Sequence, residues 1–261
     1  MQDRTGLSYR LMGIVNLTDN SFLSSSRLGS ADTDTVLNTV AAMLADGADI
    51  IDIGACSTAP GNKPVSAEEE WARLGSRLEE LFRAFPDSVF SIDTFYPDTV
   101  KKTLGISRGL KHPFIVNDIS SGRIIAEDNS LIDKPSGMLD IIASEKIPYI
   151  AMDSSNDPHA FFSSFAQTME RMGISDWILD PGFGFGKTIE QNWKILGSLE
   201  RLKDFGKTVL VALSRKRMIY QPLELTPDTC SEQSVYAEKL AARKGADIIR
   251  THDIKLHFEM E

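Results

Sequence analysis

An acid at the end of an apolar run, leading into a glycine-rich turn, is the arrangement in this sequence best suited to chemistry. In WILDPGFGFGKT, Trp177 to Thr188, the run Trp177-Ile178-Leu179 delivers Asp180 into Pro181-Gly182, and Gly184 and Gly186 follow at spacing two. A strand end, a loop whose backbone a ligand can approach closely, and a helix start at Lys187-Thr188 together describe a carboxylate facing a ligand pocket. A nucleotide phosphate loop needs glycine, four residues, then Gly-Lys-Thr. Counting back from Gly186 places Pro181 where that first glycine belongs, so the segment is not a phosphate loop.

The same placement recurs along the chain. Short apolar runs lie at Leu11–Leu17, Ile50–Ile53, Val89–Ile92, Phe114–Val116, Tyr149–Met152, Trp177–Leu179, Val209–Leu213 and Ile248–Ile249. Each run ends in polar residues: Asn16, Gly54 through Gly61, Asp93 and Asn117-Asp118 in the first half. Asp153, Asp180, Ser214-Arg215-Lys216 and Arg250 with His252-Asp253 close the runs of the second. Carboxamides and carboxylates gathered on one rim with Lys and Arg opposite need partners or a ligand, because burying them alone is costly.

The elements that must position these residues alternate in type. Helical spacing runs through Val36–Leu44, Trp71–Phe82, Val100–Leu104, Leu139–Ile142, Phe161–Met172, Trp193–Leu202 and Tyr236–Ala242. Unalternated apolar strands separated by amphipathic helices predict a parallel sheet covered by helices. Eight such units in 261 residues favour one closed (β/α)8 TIM barrel over an open doubly wound sheet. No strand is followed by GxGxxG, which weakens a dinucleotide fold. With no linker or repeat beyond the βα unit, one domain over residues 1–261 is expected. In a barrel the C-terminal strand ends share the face that holds the active site.

Composition narrows the partners. A formal charge of -9 argues against nucleic acid and anionic membranes, which attract basic surfaces. No run approaches the ~20 apolar residues of a membrane span, and the N-terminal segment lacks the pattern of a signal peptide. Two cysteines, Cys56 and Cys230, exclude a disulfide scaffold and suit a reducing, cytoplasmic compartment.

Asp93, Asn117 and Asp180 offer acceptors and one amide, a set that matches a flat heterocycle with an amino group beside a ring N–H. Lys216, a donor only, suits a ring carbonyl on the opposite edge. Asn16, Arg250 and His252 come from the first and last strands, neighbours once a barrel closes, and make a polyanion subsite in which Asn16 can hold a divalent metal through its carbonyl oxygen. Plainer roles are expected elsewhere. Asp52 orients the second loop, Asp118 and Asp253 anchor turns, Cys56 is a small buried thiol and Lys187 a helix-start residue, while His112, His159 and His257 need no role.

The chain resembles the dihydropteroate synthase family in LMGIVNLT with NSF (Leu11 to Phe22), DIGACST with PG (Asp52 to Gly61), SIDT (Ser91 to Thr94) and NDIS (Asn117 to Ser120). LDPGFGFGKT (Leu179 to Thr188), SRK (Ser214 to Lys216) and R-HD (Arg250 to Asp253) continue the resemblance in the same order. It implies a pterin-binding barrel that condenses 6-hydroxymethyl-7,8-dihydropterin diphosphate with 4-aminobenzoate in folate biosynthesis, releasing diphosphate, with Mg²⁺ and as a homodimer. It further implies that Asp93, Asn117, Asp180 and Lys216 hold the pterin, Asn16 the metal, and Arg250 with His252 the diphosphate. Phe22, Ser57, Thr58, Met152 and Arg217 would complete the substrate contacts, and Asn16, Lys216, Arg250 and His252 the catalytic set. The loops depart from the family: Asp19-Asn20 stand for Pro-Asp, Ala55-Cys56 for Gly-Glu, Ala59 for an arginine, AMDSS (Ala151 to Ser155) for a Met-His-Met-like run, and Arg217 for serine. Two other functions use the same residues, a pterin-binding paralogue that condenses poorly and a methyltetrahydrofolate-dependent methyltransferase. Only Lys255 to Glu261 follows HDI (His252 to Ile254), so a short or truncated eighth helix is expected, with an apolar flank covered by another subunit or the chain truncated.

Overall fold

The computed structural model describes residues 7–18, 28, 31–56 and 63–260. Its strands in the first half are β1 (Arg10–Asn16), β2 (Ile50–Gly54), β3 (Val89–Asp93), β4 (Phe114–Asp118), β5 (Arg123–Ile125) and β6 (Leu131–Pro135). Those of the second half are β7 (Tyr149–Met152), β8 (Trp177–Asp180), β9 (Leu210–Val211) and β10 (Ile248–Thr251). All but β5 and β6 belong to one parallel sheet, in the order β8-β7-β4-β3-β2-β1-β10-β9. A parallel bridge from Leu179 to Val209 joins the two ends, with the Leu179 N–H donating to the Thr208 carbonyl at 2.9 Å. The (β/α)8 barrel expected from the spacing is therefore closed.

Helices α1 (Thr33–Ala45), α2 (Ala67–Ala84), α3 (Pro97–Leu110), α4 (Met138–Glu145), α5 (Pro158–Arg171), α6 (Ile189–Gly197), α7 (Arg217–Tyr220), α8 (Ser231–Arg243) and α9 (Leu256–Glu259) alternate with the barrel strands. Local chemistry sets where they begin. Asp32, Ser66 and Asp157 accept N-cap hydrogen bonds, and Thr188 with Gln191 forms a reciprocal capping box. No described helix is long and apolar enough to cross a membrane.

The pleat, with its period of two, sorts each strand into two faces. Outward residues such as Leu11, Ile51, Phe90, Val116, Tyr149, Leu179, Val211 and Ile249 pack against the helices in the main core. Inward residues Met12, Ile50, Ile150, Ile178, Leu210, Ala212 and Ile248 form a second, smaller core inside the barrel. Two residues further along the same inward face the identity changes: Ile50 gives way to Asp52, Ile178 to Asp180 and Ile248 to Arg250. An apolar plug thus underlies a polar layer, and that layer is the floor of the site.

Two expectations need correction, and one element is new: after β4, where the spacing predicts no element, β5 and β6 pair as an antiparallel hairpin. The pattern Trp193–Leu202 is not one helix, since α6 ends at Gly197 and a 3₁₀ helix, Leu199–Phe205, takes over. Two of the histidines expected to need no role are buried and bonded. His112 stacks on Phe82 with ring centroids 4.2 Å apart. His257 joins Glu238 at 2.8 Å and the Tyr9 hydroxyl at 3.0 Å, tying α9 to α8 and to the segment before β1. His159 lies on α5, near Phe205.

Candidate active site

A cavity of about 820 Å³ opens at the C-terminal end of the strands. Every sequence-predicted site residue among the described ones lines it: Asn16 from β1, Asp93 from β3, Asn117 from β4, Met152 from β7, Asp180 from β8, Lys216 and Arg217 after β9, and Arg250 and His252 at the end of β10. Phe22, Ser57 and Thr58 lie outside the described residues, as do Asp19, Asn20 and Ala59.

The floor is an interlocked charge cluster. Arg250 donates from Nε to Asp52 Oδ2 at 2.6 Å and from Nη2 to Asp93 Oδ2 at 2.9 Å. Asn117 Nδ2 donates to the same Asp52 oxygen at 3.1 Å. The groups expected to hold a heterocycle and those expected to hold an anion are therefore in contact through Arg250. Asp52 does not orient the second loop as expected; it points into the barrel. Its inward parity with Ile50 was the signal available in the sequence.

Asp180 keeps one oxygen for its own turn, accepting from the Gly182 N–H at 2.8 Å. The turn needs its glycines. A Cβ on Gly182, at φ +65, would lie 1.9 Å from the Asp153 carbonyl oxygen, and one on Gly184, at φ +82, 2.9 Å from Lys216 Cδ. Lys216 thus lies along the bare Gly184 backbone with its ammonium 4.6 Å from the centre of the Phe185 ring. Lys187 is more than a helix-start residue. Its ammonium donates to the carbonyls of Asp153 at 2.9 Å and Gly182 at 3.0 Å, clamping the glycine loop to the end of β7.

The turn after β9 is equally constrained. Arg215 adopts a left-handed conformation at φ +57 and is held by Asp253 through bonds of 2.5 and 3.1 Å. That pair, and Asp118 accepting from the N–H groups of Ser120 and Gly122 and from the Tyr149 hydroxyl, bear out the turn-anchoring roles. Ser214 Oγ lies 2.9 Å from His252 Nδ1. Arg217 Nε donates to Gln221 at 3.2 Å at the cavity wall. Cys56 is only partly buried and lines the cavity, with its thiol pushed up to about 12 by burial. It is no thiolate nucleophile near neutrality. The hairpin tip, Glu127, Asp128 and Asn129, also faces the cavity and was missed in the sequence. Asn129, at φ +66 between two apolar pairs, carries the turn signal that could have revealed it.

Burial sets the protonation of the cluster. Burial, then the neighbouring Asp52, raise the Asp93 carboxyl to about 7 against the pull of Arg250. Burial lowers Lys216 to about 8, against the pull of Asp180, and His252 to about 3, with Arg250 adding to the fall. His252 is therefore a neutral donor and not a cation. Asp180 is raised by burial. An Asp93 carboxylate forms as pH rises through about 7, and the Lys216 ammonium is lost as pH rises through about 8. Affinity for a heterocycle that uses both groups should pass through a maximum between these values. Titration calorimetry over this range checks it, and Lys216→Met should remove the alkaline limb alone.

The pterin binding enzyme family model matches residues 12–252. The chain is 32% identical to dihydropteroate synthase of Escherichia coli (strain K12), covering 94% of this chain and 86% of that protein. It is 31% identical to the Bacillus subtilis (strain 168) enzyme, covering 96% and 87%. Among solved structures, Yersinia pestis dihydropteroate synthase in a sulfonamide drug complex superposes with a TM-score of 0.82 at 31% identity, over 97% of this chain and 91% of that one. Xanthomonas albilineans dihydropteroate synthase in complex with 7,8-dihydropteroate gives 0.77 at 30%, over 96% and 90%.

Proposed function

The chain belongs to the pterin binding enzyme family, and from that premise we propose that it is a dihydropteroate synthase, condensing 6-hydroxymethyl-7,8-dihydropterin diphosphate with 4-aminobenzoate in folate biosynthesis. One observation carries this reading: Asp93, Asn117, Asp180 and Lys216, from four separate parts of the chain, line one cavity whose floor also holds Arg250. The acceptors suit the amino and ring N–H edge of a pterin, and Lys216 suits its carbonyl edge. Similarity to enzymes named dihydropteroate synthase over more than nine-tenths of the chain supports it.

The chemistry needs no protein nucleophile. The C–O bond to diphosphate breaks, the resonance-stabilised pterin methylene cation accepts the amine of 4-aminobenzoate, a C–N bond forms, and the amine gives up its proton. Arg250 would stabilise charge gathering on the leaving diphosphate, and His252, neutral, would donate one hydrogen bond to it. Asn16 lines the cavity, and no cluster of three His, Cys, Asp or Glu side chains suited to a metal occurs among the described residues. That donor set fits Mg²⁺ held mainly by substrate phosphates, with Asn16 supplying a carbonyl oxygen. The ion would supply charge neutralisation at the leaving group. Arg217, where the family has serine, stands ready to pair the aminobenzoate carboxylate.

Incubation with pterin diphosphate, 4-aminobenzoate and Mg²⁺ should yield dihydropteroate and diphosphate. Tight pterin binding with no product would instead identify a binding paralogue, the function that Asn20 and Ala59 favour. The two free cysteines agree with a cytoplasmic setting. A homodimer face is proposed on α6, the segment after α7, and α8, where Trp193, Leu223 and Tyr236 are exposed. Light scattering should give twice the chain mass, and Tyr236→Glu should halve it; a monomeric wild type would contradict this.

A further inference from the structure

Asp52 has the most demanding place in the barrel. It is fully buried on β2 beside Ile50, Ile51 and Ile53, and its Oδ1 has no hydrogen-bond partner among the described residues. A half-satisfied buried carboxylate is costly, and an apolar residue of similar volume is often neutral or stabilising in such a position. Packing alone gives no reason for an acid here.

The reason lies in what the other oxygen holds. Asp52 Oδ2 accepts from Arg250 Nε at 2.6 Å and from Asn117 Nδ2 at 3.1 Å, residues of β10 and β4 that both line the cavity. We infer that Asp52 is a positioning residue: it fixes the Asn117 amide with its carbonyl towards the cavity, so that this side chain takes only hydrogen-bond donors from a bound heterocycle, and it aims the Arg250 guanidinium at the neighbouring anion. A carboxylate can only accept, so the Asn117 nitrogen is committed to Asp52 and the carbonyl oxygen is the end left for a ligand. Were the amide free to turn, the same side chain would take a ring acceptor equally well. For Arg250, two carboxylates on neighbouring strands fix the plane through Nε and Nη2, leaving Nη1 for an anion. Asp52 thus sets both the polarity of the ring site and the direction of the cation beside it. The inference rests on the proposed pterin site and adds how its specificity is enforced.

The test compares Asp52→Asn, Asn117→Asp and the exchanged pair Asp52→Asn/Asn117→Asp. Pterin affinity is read by calorimetry, kcat and KM by turnover, and folding by circular dichroism. Asp52→Asn should weaken pterin binding about tenfold or more, raising KM for the diphosphate ester more than it lowers kcat. The exchanged pair restores the bond between positions 52 and 117 with its donor reversed and still presents an acceptor to the ring. The oxygen it gives up also serves Arg250 Nε, so it should recover most of the affinity for unphosphorylated pterin and not that for the diphosphate ester. If Asp52→Asn does not fold, the same recovery is sought relative to Asn117→Asp alone. Unchanged affinity in a folded Asp52→Asn, or an exchanged pair that regains its melting temperature but not its affinity for unphosphorylated pterin, would overturn the inference. A wild-type chain that fails to bind pterin would instead remove the site proposal itself.

Discussion

Asp180→Asn should lose pterin binding by about 3 kcal/mol or more, roughly a hundredfold, in a barrel that remains folded. One carboxylate oxygen accepts from the Gly182 N–H at 2.8 Å, and the residue also lines the cavity. In asparagine the nitrogen must occupy one of the two oxygen positions. Facing the cavity, it sets a donor against the ligand's donors; turned inward, it sets a donor against the Gly182 N–H. Either orientation gives up a charge-assisted bond and creates a repulsive contact. The neighbouring turn depends on glycine conformation and on the Lys187 clamp as well, so circular dichroism should change little. Calorimetry with pterin decides the matter, and wild-type affinity in this variant would remove Asp180 from the site.

Arg250→Ala should have two large effects, one on stability and one on ligand choice. Asp52, fully buried, and Asp93, partly buried, would be left close together with no cation between them, a loss of up to about 3–5 kcal/mol of stability. The pH dependence has a definite sign. Arg250 pulls the Asp93 carboxyl down, so its removal raises that group further above about 7. The folded variant then binds a proton that the unfolded chain releases above roughly pH 3.9. Stability contributed by the protonated form is lost as pH rises from there through the folded value. The melting-temperature deficit should be smaller at about pH 5 than at about pH 8, which differential scanning calorimetry measures. Affinity for the pterin diphosphate ester should fall by a larger factor than affinity for the unphosphorylated pterin. Equal losses for the two ligands would contradict an anion subsite at Arg250.

Much of this was legible because a barrel turns chain order into geometry. Apolar runs flanked by helical spacing specify strands, and closure brings their C-terminal residues together, so Asp93, Asn117, Asp180, Lys216 and Arg250 could be grouped from their positions in the chain. The hairpin Arg123–Pro135 escaped notice because its strands are short and mostly exposed, giving little alternation to read. The end of α6 was missed because Leu199 and Leu202 continue its apolar face while the backbone tightens to 3₁₀ after Ser198. Asp52 looked like a loop acid because it stands next to the second loop in sequence. Only the pleat shows that it shares the inward face with Ile50. The clamp by Lys187 required knowing that its loop folds against the end of β7, a contact between residues 153 and 187 that local spacing does not encode.

The Arg250 contacts also revise the division of labour that the sequence suggested. A ring-binding set and an anion-binding set were expected as neighbours. In the structure Arg250 belongs to both, since it bonds Asp93 on one side and lines the cavity on the other. An anion at Nη1 would share the guanidinium's charge with Asp93, bonded at Nη2, and so alter the carboxyl that meets the ring. The two halves of the substrate would then be felt together, consistent with a site that handles a pterin and its diphosphate as one molecule.

Electron density for a bound pterin is the most direct measurement. The ring should lie in the 820 Å³ cavity, with its amino and N–H edge about 2.7–3.1 Å from Asp180 and from the Asn117 carbonyl and its carbonyl edge towards Lys216. A pterin bound elsewhere on the molecule, or one in the cavity that touches neither Asp180 nor Asn117, would contradict the account.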